Sequence, residues 1–262
     1  MDDSQLNQPQ AEIRELKKER YRDRAFVDSY DSRYAGGLNA LSTRVETAWV
    51  GQRARGLVLD CGAGTGRFSH PLAARGLNVI ALDSSRQMLS QLRTKAPLPC
   101  VSGDIYNLPL REGAFDSLVC LHLLFHLPDW PAALESMSRA LRPGGRLLFE
   151  MRSGEHTALA TQMLKLLGRT PRKAEDDRSG ATVHATRAQV HSTLAACGLR
   201  LESTLRYDLG HTHYLSPLSR LSDRVLGNSA LLRRALATLE LSAGRFLPAA
   251  LTYRTLYCAV KA

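Results

Sequence analysis

"LDCGAGTGRF", residues 59–68, sets Gly62, Gly64 and Gly66 directly behind the apolar run at 56–59. Glycine permits positive φ and lets a ligand approach the main chain, at a cost in backbone entropy. Three of them between a strand and a helix start mark a ligand-binding turn. A dinucleotide fingerprint, G-x-G-x-x-G, places its third glycine where helix and strand pack beneath a pyrophosphate. Here the third glycine comes one residue early, at Gly66, and Arg67 takes the fingerprint's position. No Gly-Lys-Ser/Thr follows, so the turn is no P-loop. It fits an uncharged nucleoside carrying a compact polar tail.

Outward from that turn, strand and helix patterns alternate. "GLVLDCG" reads as a buried strand and "RFSHPLAARG" as a helix stopped by Gly76; "LNVIALD" is a second strand and "SRQMLSQLRTKA" a second helix. "LPCVSGD" and "FDSLVCLHLL" supply the third and fourth strands, "WPAALESMSRAL" a helix with proline near its first turn, and "RLLFEM" the fifth strand. Further on, "TRAQVHSTLAACG" carries a Thr186–Gln189 capping-box pattern, and "LRLESTLRYD" and the terminal "TYRTLYCAVKA" alternate as strands. This rhythm predicts an α/β, Rossmann-like, seven-stranded and mostly parallel sheet with helices on both faces. Ligands of such sheets sit beyond the carboxyl ends of the strands, where the glycine turn lies.

Upstream, "PQAEIRELKKERYRDRAF" and "ALSTRVETAWVG" are helical candidates separated by the Gly36–Gly37 break. They divide the chain into an N-terminal helical cap, residues 1–55, and a ligand-binding domain, residues 56–262. Two amphipathic helices, starting near Ser216-Pro217 and Asn228, form a helical insertion at about 211–250, between the last two strands.

The 262 residues suffice for a sizeable core. No apolar stretch approaches the roughly 20 residues of a membrane span, and the polar N-terminus is no secretory signal. Five cysteines, with no CxxC pair, argue against a zinc site or a disulfide framework and for reduced thiols in a cytoplasmic protein. The net charge is +10, and residues 153–262 hold 15 Lys+Arg against 8 Asp+Glu, seven of the ten excess charges. A basic C-terminal third faces nucleic acid, an anionic membrane surface or an acidic substrate, or is a solvated arginine-rich surface.

Two acids extend the glycine clue. Asp83 ends the second strand, where a carboxylate accepts from both hydroxyls of a ribose, and Asp104 follows the third, within reach of an adenine amino group. With these three features in order, the sequence resembles the class I S-adenosylmethionine-dependent methyltransferases, particularly the ubiquinone/menaquinone-biosynthesis-like group. "LVLDCGAGTGRF", "VIALDSSRQML", "GDIYNLPL" and "FDSLVCLHLLFHLPDWPAALESMSRALRPGGRLLFEM" carry the resemblance over roughly residues 56–152.

The resemblance implies S-adenosyl-L-methionine as cofactor. Asp60, Gly62, Ala63 and Gly64 would border its methionine part, with Gly66 closing the turn. Asp83 would hold the ribose, Ser84 and Met88 would lie beside the adenine, and Asp104 and the Ile105 N–H would bind it. Cys120 or Leu121 would offer a carbonyl to the methionine amine. Tyr30 and Tyr34 resemble the N-terminal segment that closes over the cofactor in this family, and Arg33 would meet the cofactor carboxylate. His126, after the fourth strand, leads the candidates for base, with His122 four residues earlier. His211 and His213 would enter the cleft from the other side as acceptor contacts; no third ligand nearby in sequence makes them a metal site.

The implied reaction is methyl transfer to a small-molecule acceptor, aromatic or lipidic, or one presented at a membrane surface, since the insertion pairs leucine stripes with arginines. The alternatives are an RNA or protein methyltransferase using the basic C-terminal third, and a non-catalytic cofactor-binding protein. Nucleic acid is disfavoured: the fourth strand ends in "CLHLLFHL" and lacks the Asn/Asp-Pro-Pro-aromatic signature of amino-group methylation.

Overall fold

The computed structural model describes residues 19–166, 182–208 and 229–262. Seven strands form one sheet: β1 (Leu57–Cys61), β2 (Asn78–Asp83), β3 (Cys100–Ser102), β4 (Phe115–Cys120), β5 (Leu141–Arg152), β6 (Leu199–Tyr207) and β7 (Arg254–Lys261). Their order is β3-β2-β1-β4-β5-β7-β6. The first five pair with one another in parallel, while β7 runs antiparallel to both β5 and β6. The order reverses between β1 and β4, and at that switch point the chain leaves β1 into the glycine turn.

Eight α-helices accompany the sheet among the described residues: α1 (Arg24–Ser29), α2 (Gly37–Gly51), α3 (Ser69–Ala73), α4 (Arg86–Lys95), α5 (Trp130–Ala140), α6 (Gly154–Leu166), α7 (Arg187–Ala196) and α8 (Ala230–Ala243). The sheet is covered on both faces because its side chains alternate. Leu147, Phe149 and Met151 of β5 join one apolar cluster with Trp130, Ala133 and Met137 of α5 and Val190 and Leu194 of α7. Leu148, between them, joins the opposite cluster with Leu41, Val45 and Trp49 of α2, Leu72 of α3 and Ala237 of α8. Helix α2, from the segment expected to be a cap, thus shares a core with the sheet.

Local chemistry explains the helix starts. Asp129 accepts from the Ala132 N–H ahead of α5, with proline in the first turn, and Ser85 accepts from the Met88 N–H ahead of α4. The Thr186–Gln189 capping box opens α7. Two expectations shift. β4 ends at Cys120, and a 3-10 turn at Leu124–His126 replaces its expected continuation, because His122 turns the chain at φ 59°. Helix α3 covers only the middle of the expected stretch, its turn being occupied up to Phe68. The expected helix start at Ser216-Pro217 lies outside the described residues, as does Asn228; the described helix begins after Ser229, which caps it.

Candidate active site

At the carboxyl edge of β1, β2, β3 and β4 a cleft opens, enclosing about 940 Å3 together with the open space at its mouth. Its walls include Gly62, Gly64, Leu82, Asp83, Ser84, Met88, Gly103, Asp104, Ile105, Tyr106, His122, Leu123, His126 and Leu127, under Tyr21 and Tyr30 from the N-terminal segment.

The glycine turn is tied to β2, with the N–H groups of Gly62 and Ala63 both donating to the Leu82 carbonyl at 2.8 and 3.0 Å. Gly64 adopts φ +55°, and a Cβ there would meet only the Tyr30 ring edge, at 4.0 Å. Its missing side chain leaves open cleft. Gly66 differs: a Cβ would run into His70 and Leu92 at 2.5–2.9 Å, so this glycine serves packing against α4.

Asp83 sits across the turn. Its carboxylate accepts from the Gly64 N–H and from the Ser85 N–H, each at 2.8 Å. Burial raises its pKa above the ordinary aspartate range, while the N–H donors of Ser85, Gly64 and Ser84 pull the other way. Asp104 begins the next loop, where its carboxylate accepts from the Tyr106 N–H at 3.1 Å. Met88 is fully buried beneath the cleft.

Other expected residues stand behind this surface, none of them among the cleft-lining groups. Asp60 is buried under the turn and accepts from the Ser69 hydroxyl at 2.5 Å. Burial pushes its pKa up to about 6, against the Ser69 hydrogen bond. Cys120 and Leu121 are buried at the end of β4. Arg33 packs over the Phe26 and Tyr30 rings at 5.4 and 5.7 Å. Tyr34 lies behind Tyr30, their hydroxyls 3.5 Å apart, and Arg67 covers its other side, 3.9 Å from the ring centroid. His211 and His213 lie outside the described residues. Among the described residues no group of three His, Cys, Asp or Glu side chains is placed to hold a metal ion.

Several wall residues escaped the sequence reading: Tyr21, Leu82, Gly103, Tyr106, Leu123 and Leu127. Tyr21 is fixed through its carbonyl, which accepts from the Ser85 hydroxyl at 2.6 Å. Asp31 fastens the same segment to the glycine turn and to α4, accepting from the Thr65 hydroxyl at 2.6 Å and pairing with Lys95.

Behind His122 lies a buried polar cluster. His122 Nε2 sits 2.7 Å from Glu46 Oε1, and the same oxygen accepts from the Tyr207 hydroxyl at 2.6 Å. The His122 N–H donates to Glu150 Oε2 at 3.2 Å. Arg254 spans the cluster, with Nη1 3.4 Å from Glu46 and Nε 4.0 Å from Glu150 and 3.0 Å from Asp208. Burial alone would raise the Glu46 pKa, yet His122, Arg67 and Arg254 hold it well below the carboxylate range. Burial, then the Arg67 charge, lowers that of His122 despite Glu46 and Glu150.

This geometry can be set beside known proteins. The methyltransferase-domain family matches residues 59–149, from β1 to β5. The malonyl-[acyl-carrier protein] O-methyltransferase of Serratia marcescens is 32% identical over 189 residues, covering 69% of this chain and 70% of that protein. The chain belongs to the S-adenosylmethionine-dependent methyltransferases. Demethylmenaquinone methyltransferase of Beutenbergia cavernae is 36% identical over 113 residues, 43% of this chain. That alignment spans about half of the relative, 47% of its length. Among solved structures, magnesium protoporphyrin IX methyltransferase from Synechocystis PCC 6803 with bound SAH superposes with a TM-score of 0.61. It does so at 17% identity over 94% of this chain and 98% of that one, a likeness of fold. No helix among the described residues of this methyltransferase is long and apolar enough to cross a membrane.

Proposed function

We propose that this methyltransferase transfers a methyl group from S-adenosylmethionine to a small-molecule acceptor. One observation carries the reading: Gly64 without a side chain, the Asp83 carboxylate and Asp104 stand on three successive strand ends around one cleft. The fit is chemical. Asp83 is a half-buried carboxylate that accepts from main-chain N–H groups, and it would accept from the ribose hydroxyls. Asp104 and Ile105 would hold the adenine above Met88. Gly62 and Gly64 would let the methionine part lie on the main chain, over Asp60. The cofactor supplies a methyl group already activated on a sulfonium sulfur. The protein's part is alignment of nucleophile and methyl, which is worth about 7–11 kcal/mol.

Residues 1–55 form the cap in this reading, with Tyr21 and Tyr30 excluding water from the cleft, and residues 56–262 form the methyltransferase domain. His122, Leu123, His126 and Leu127 face the acceptor, and the insertion at about 211–250, with His211 and His213, selects it. An aromatic or lipidic acceptor suits the apolar wall and the exposed Leu231, Leu239 and Phe246 of the insertion.

Calorimetry with S-adenosylhomocysteine and NAD tests the cofactor half: binding of the first and not the second is expected, and the reverse refutes it. Labelled methyl transfer into the small-molecule, RNA and protein fractions of an extract tests the acceptor. Label in RNA or protein alone overturns the small-molecule reading. Cofactor binding with no label in any fraction favours a non-catalytic protein.

A further inference from the structure

We propose that the outward face of α8, with Phe246 beyond its end, docks on an anionic lipid bilayer and so brings the cleft to an acceptor dissolved in that bilayer. This rests on the methyltransferase reading for its purpose and extends it to where the acceptor is met.

Helix α8 is apolar in two directions. Ala237 and Glu240 are buried and point inward, where the helix packs on α2 and β6. At about 100° per residue, Leu231, Leu232, Ala235, Leu239 and Ser242 fall within one sector of about 100° on the opposite side. Leu231 is 77% exposed, Leu239 53% and Leu232 36%. The chain then enters the 3-10 turn Gly244–Phe246, where Phe246 is 74% exposed. Folding requires only the inward face. A surface helix normally sets a charged or polar face against its apolar stripe, and this outward sector holds no charge. Apolar side chains clustered in water mark a surface that meets a partner or another phase.

Charge selects the occupant. Arg234 is exposed at the border of the sector, and the Arg245 guanidinium lies 4.6 Å over the Phe246 ring. Between 229 and 251 the one acid is Glu240. It is 6% exposed and accepts from the Asp208 N–H at 2.9 Å, so no carboxylate of this segment answers the arginines at the surface. A second copy docked through the same face would set arginine against arginine, and like charges across an interface are costly. An anionic bilayer satisfies both parts of the face. The leucines and Phe246 enter the boundary between headgroups and acyl chains, while the arginines stay at the level of the phosphates. Their aliphatic stems allow that division. The same sign runs through residues 153–262, which hold seven of the ten excess positive charges.

Position gives the contact its use. Strands β5 and β6 run toward the same edge of the sheet, since Arg152 and Tyr207 both pair with Arg254 of β7. That is the edge on which the cleft opens. Gly244 lies so close to the Arg206 carbonyl of β6 that a Cβ would collide with it. Arg206 Nη1 donates to the carbonyls of Arg245 and Leu247, at 3.0 and 2.6 Å. Phe246 is thus fastened at the cleft end of the sheet, on the flank formed by β6.

Sedimentation of the full chain with vesicles tests the proposal, using phosphatidylcholine alone and phosphatidylcholine with phosphatidylglycerol as probes. Wild type should partition onto the anionic vesicles at least about tenfold more strongly, and added salt should weaken that binding. Leu239→Asp and Phe246→Asp should each lower it at least about tenfold. Arg234→Gln combined with Arg245→Gln should lower it about fivefold for each arginine removed, on the anionic vesicles alone. Melting temperature and S-adenosylhomocysteine affinity should stay close to wild type in all these variants, which separates lost docking from lost folding. Failure of the wild type to bind S-adenosylhomocysteine would count against the methyltransferase reading, whereas the vesicles decide the docking face alone. Absence of binding to the phosphatidylglycerol vesicles, or binding that Leu239→Asp and Phe246→Asp leave unchanged, overturns the proposal. Self-association in solution that Leu239→Asp abolishes also overturns it, giving the face to a second copy.

Discussion

Asp83→Asn separates cofactor recognition from folding. The wild-type carboxylate offers two charged oxygens at the end of β2, with main-chain N–H groups on each at 2.8 Å. Asparagine keeps one acceptor, loses the charge and turns an amide donor toward either an N–H or a ribose hydroxyl. A hydrogen bond to a charged group contributes about 1.5–3 kcal/mol, and losing one of a pair should cost the bound state about 2–3 kcal/mol. At roughly 1.4 kcal/mol per factor of ten, S-adenosylhomocysteine should bind about 30- to 150-fold more weakly. Titration calorimetry of the variant measures the loss, and a thermal melt without ligand reports the separate cost of the Gly64 and Ser85 N–H groups. Affinity within threefold of wild type, in a folded variant, would falsify the assignment of Asp83 to the ribose.

The glycines of the turn should part company. Gly64→Ala, with its Cβ in open cleft, should weaken S-adenosylhomocysteine binding at least tenfold with a small change in melting temperature, measured by calorimetry and thermal melts. Gly66→Ala should do the opposite, destabilising by about 1–3 kcal/mol because its Cβ meets His70 and Leu92; equal effects of the two on binding would contradict the packing argument. Thr186→Ala removes the capping box of α7 and should cost about 1 kcal/mol, or roughly 2–4 °C in melting temperature. Its cofactor affinity should be unchanged by calorimetry.

The strands and their order of use were legible because each apolar run ends in a chemically distinctive residue: a glycine turn after β1, Asp83 after β2, Asp104 after β3. A one-dimensional pattern can carry that. It could not carry the different reasons for Gly64 and Gly66, which depend on whether a Cβ meets cleft or helix. In the sequence Glu46 is one more charge in a helical stretch. Yet Ser42, Glu46, Trp49 and Val50 are buried on the same face of α2. A lone acid on an apolar stripe was the available signal, since burying it requires partners. Tyr207 and Arg254 come from β6 and β7, and only the antiparallel return of β7, which pairs Tyr207 with Arg254, brings them to the same end of the sheet. Of the upper wall, Tyr106 lies in a turn, and Tyr21 lies in a turn that interrupts the stretch expected to be one continuous helix.

The buried cluster also explains a strained backbone. His122 and Asp208 are the non-glycine residues at positive φ among those described, at 59° and 69°. Such conformations cost of order 1–3 kcal/mol and persist where surroundings over-determine them. Here both residues connect to Arg254, Asp208 by an ion pair and His122 by contact at 3.3–3.4 Å and through Glu46 and Glu150, while the Asp208 N–H donates to Glu240 at 2.9 Å. The ends of β4, β5, β6 and β7 are therefore one electrostatic unit, and Arg254→Met should cost about 3–5 kcal/mol at neutral pH by leaving buried carboxylates uncompensated. Those carboxylates then have raised pKa values, so between about pH 4 and 7 the folded variant binds more protons than the unfolded chain. By linkage its stability rises as pH falls through that window, more than in wild type, where Arg254 opposes protonation although burial pushes Asp208 up to about 6. Urea unfolding of both proteins at pH 7 and pH 5 measures the difference. If Arg254→Met is destabilised equally at the two values, the loss is one of packing, and the electrostatic account of the strained turn at His122 fails with it.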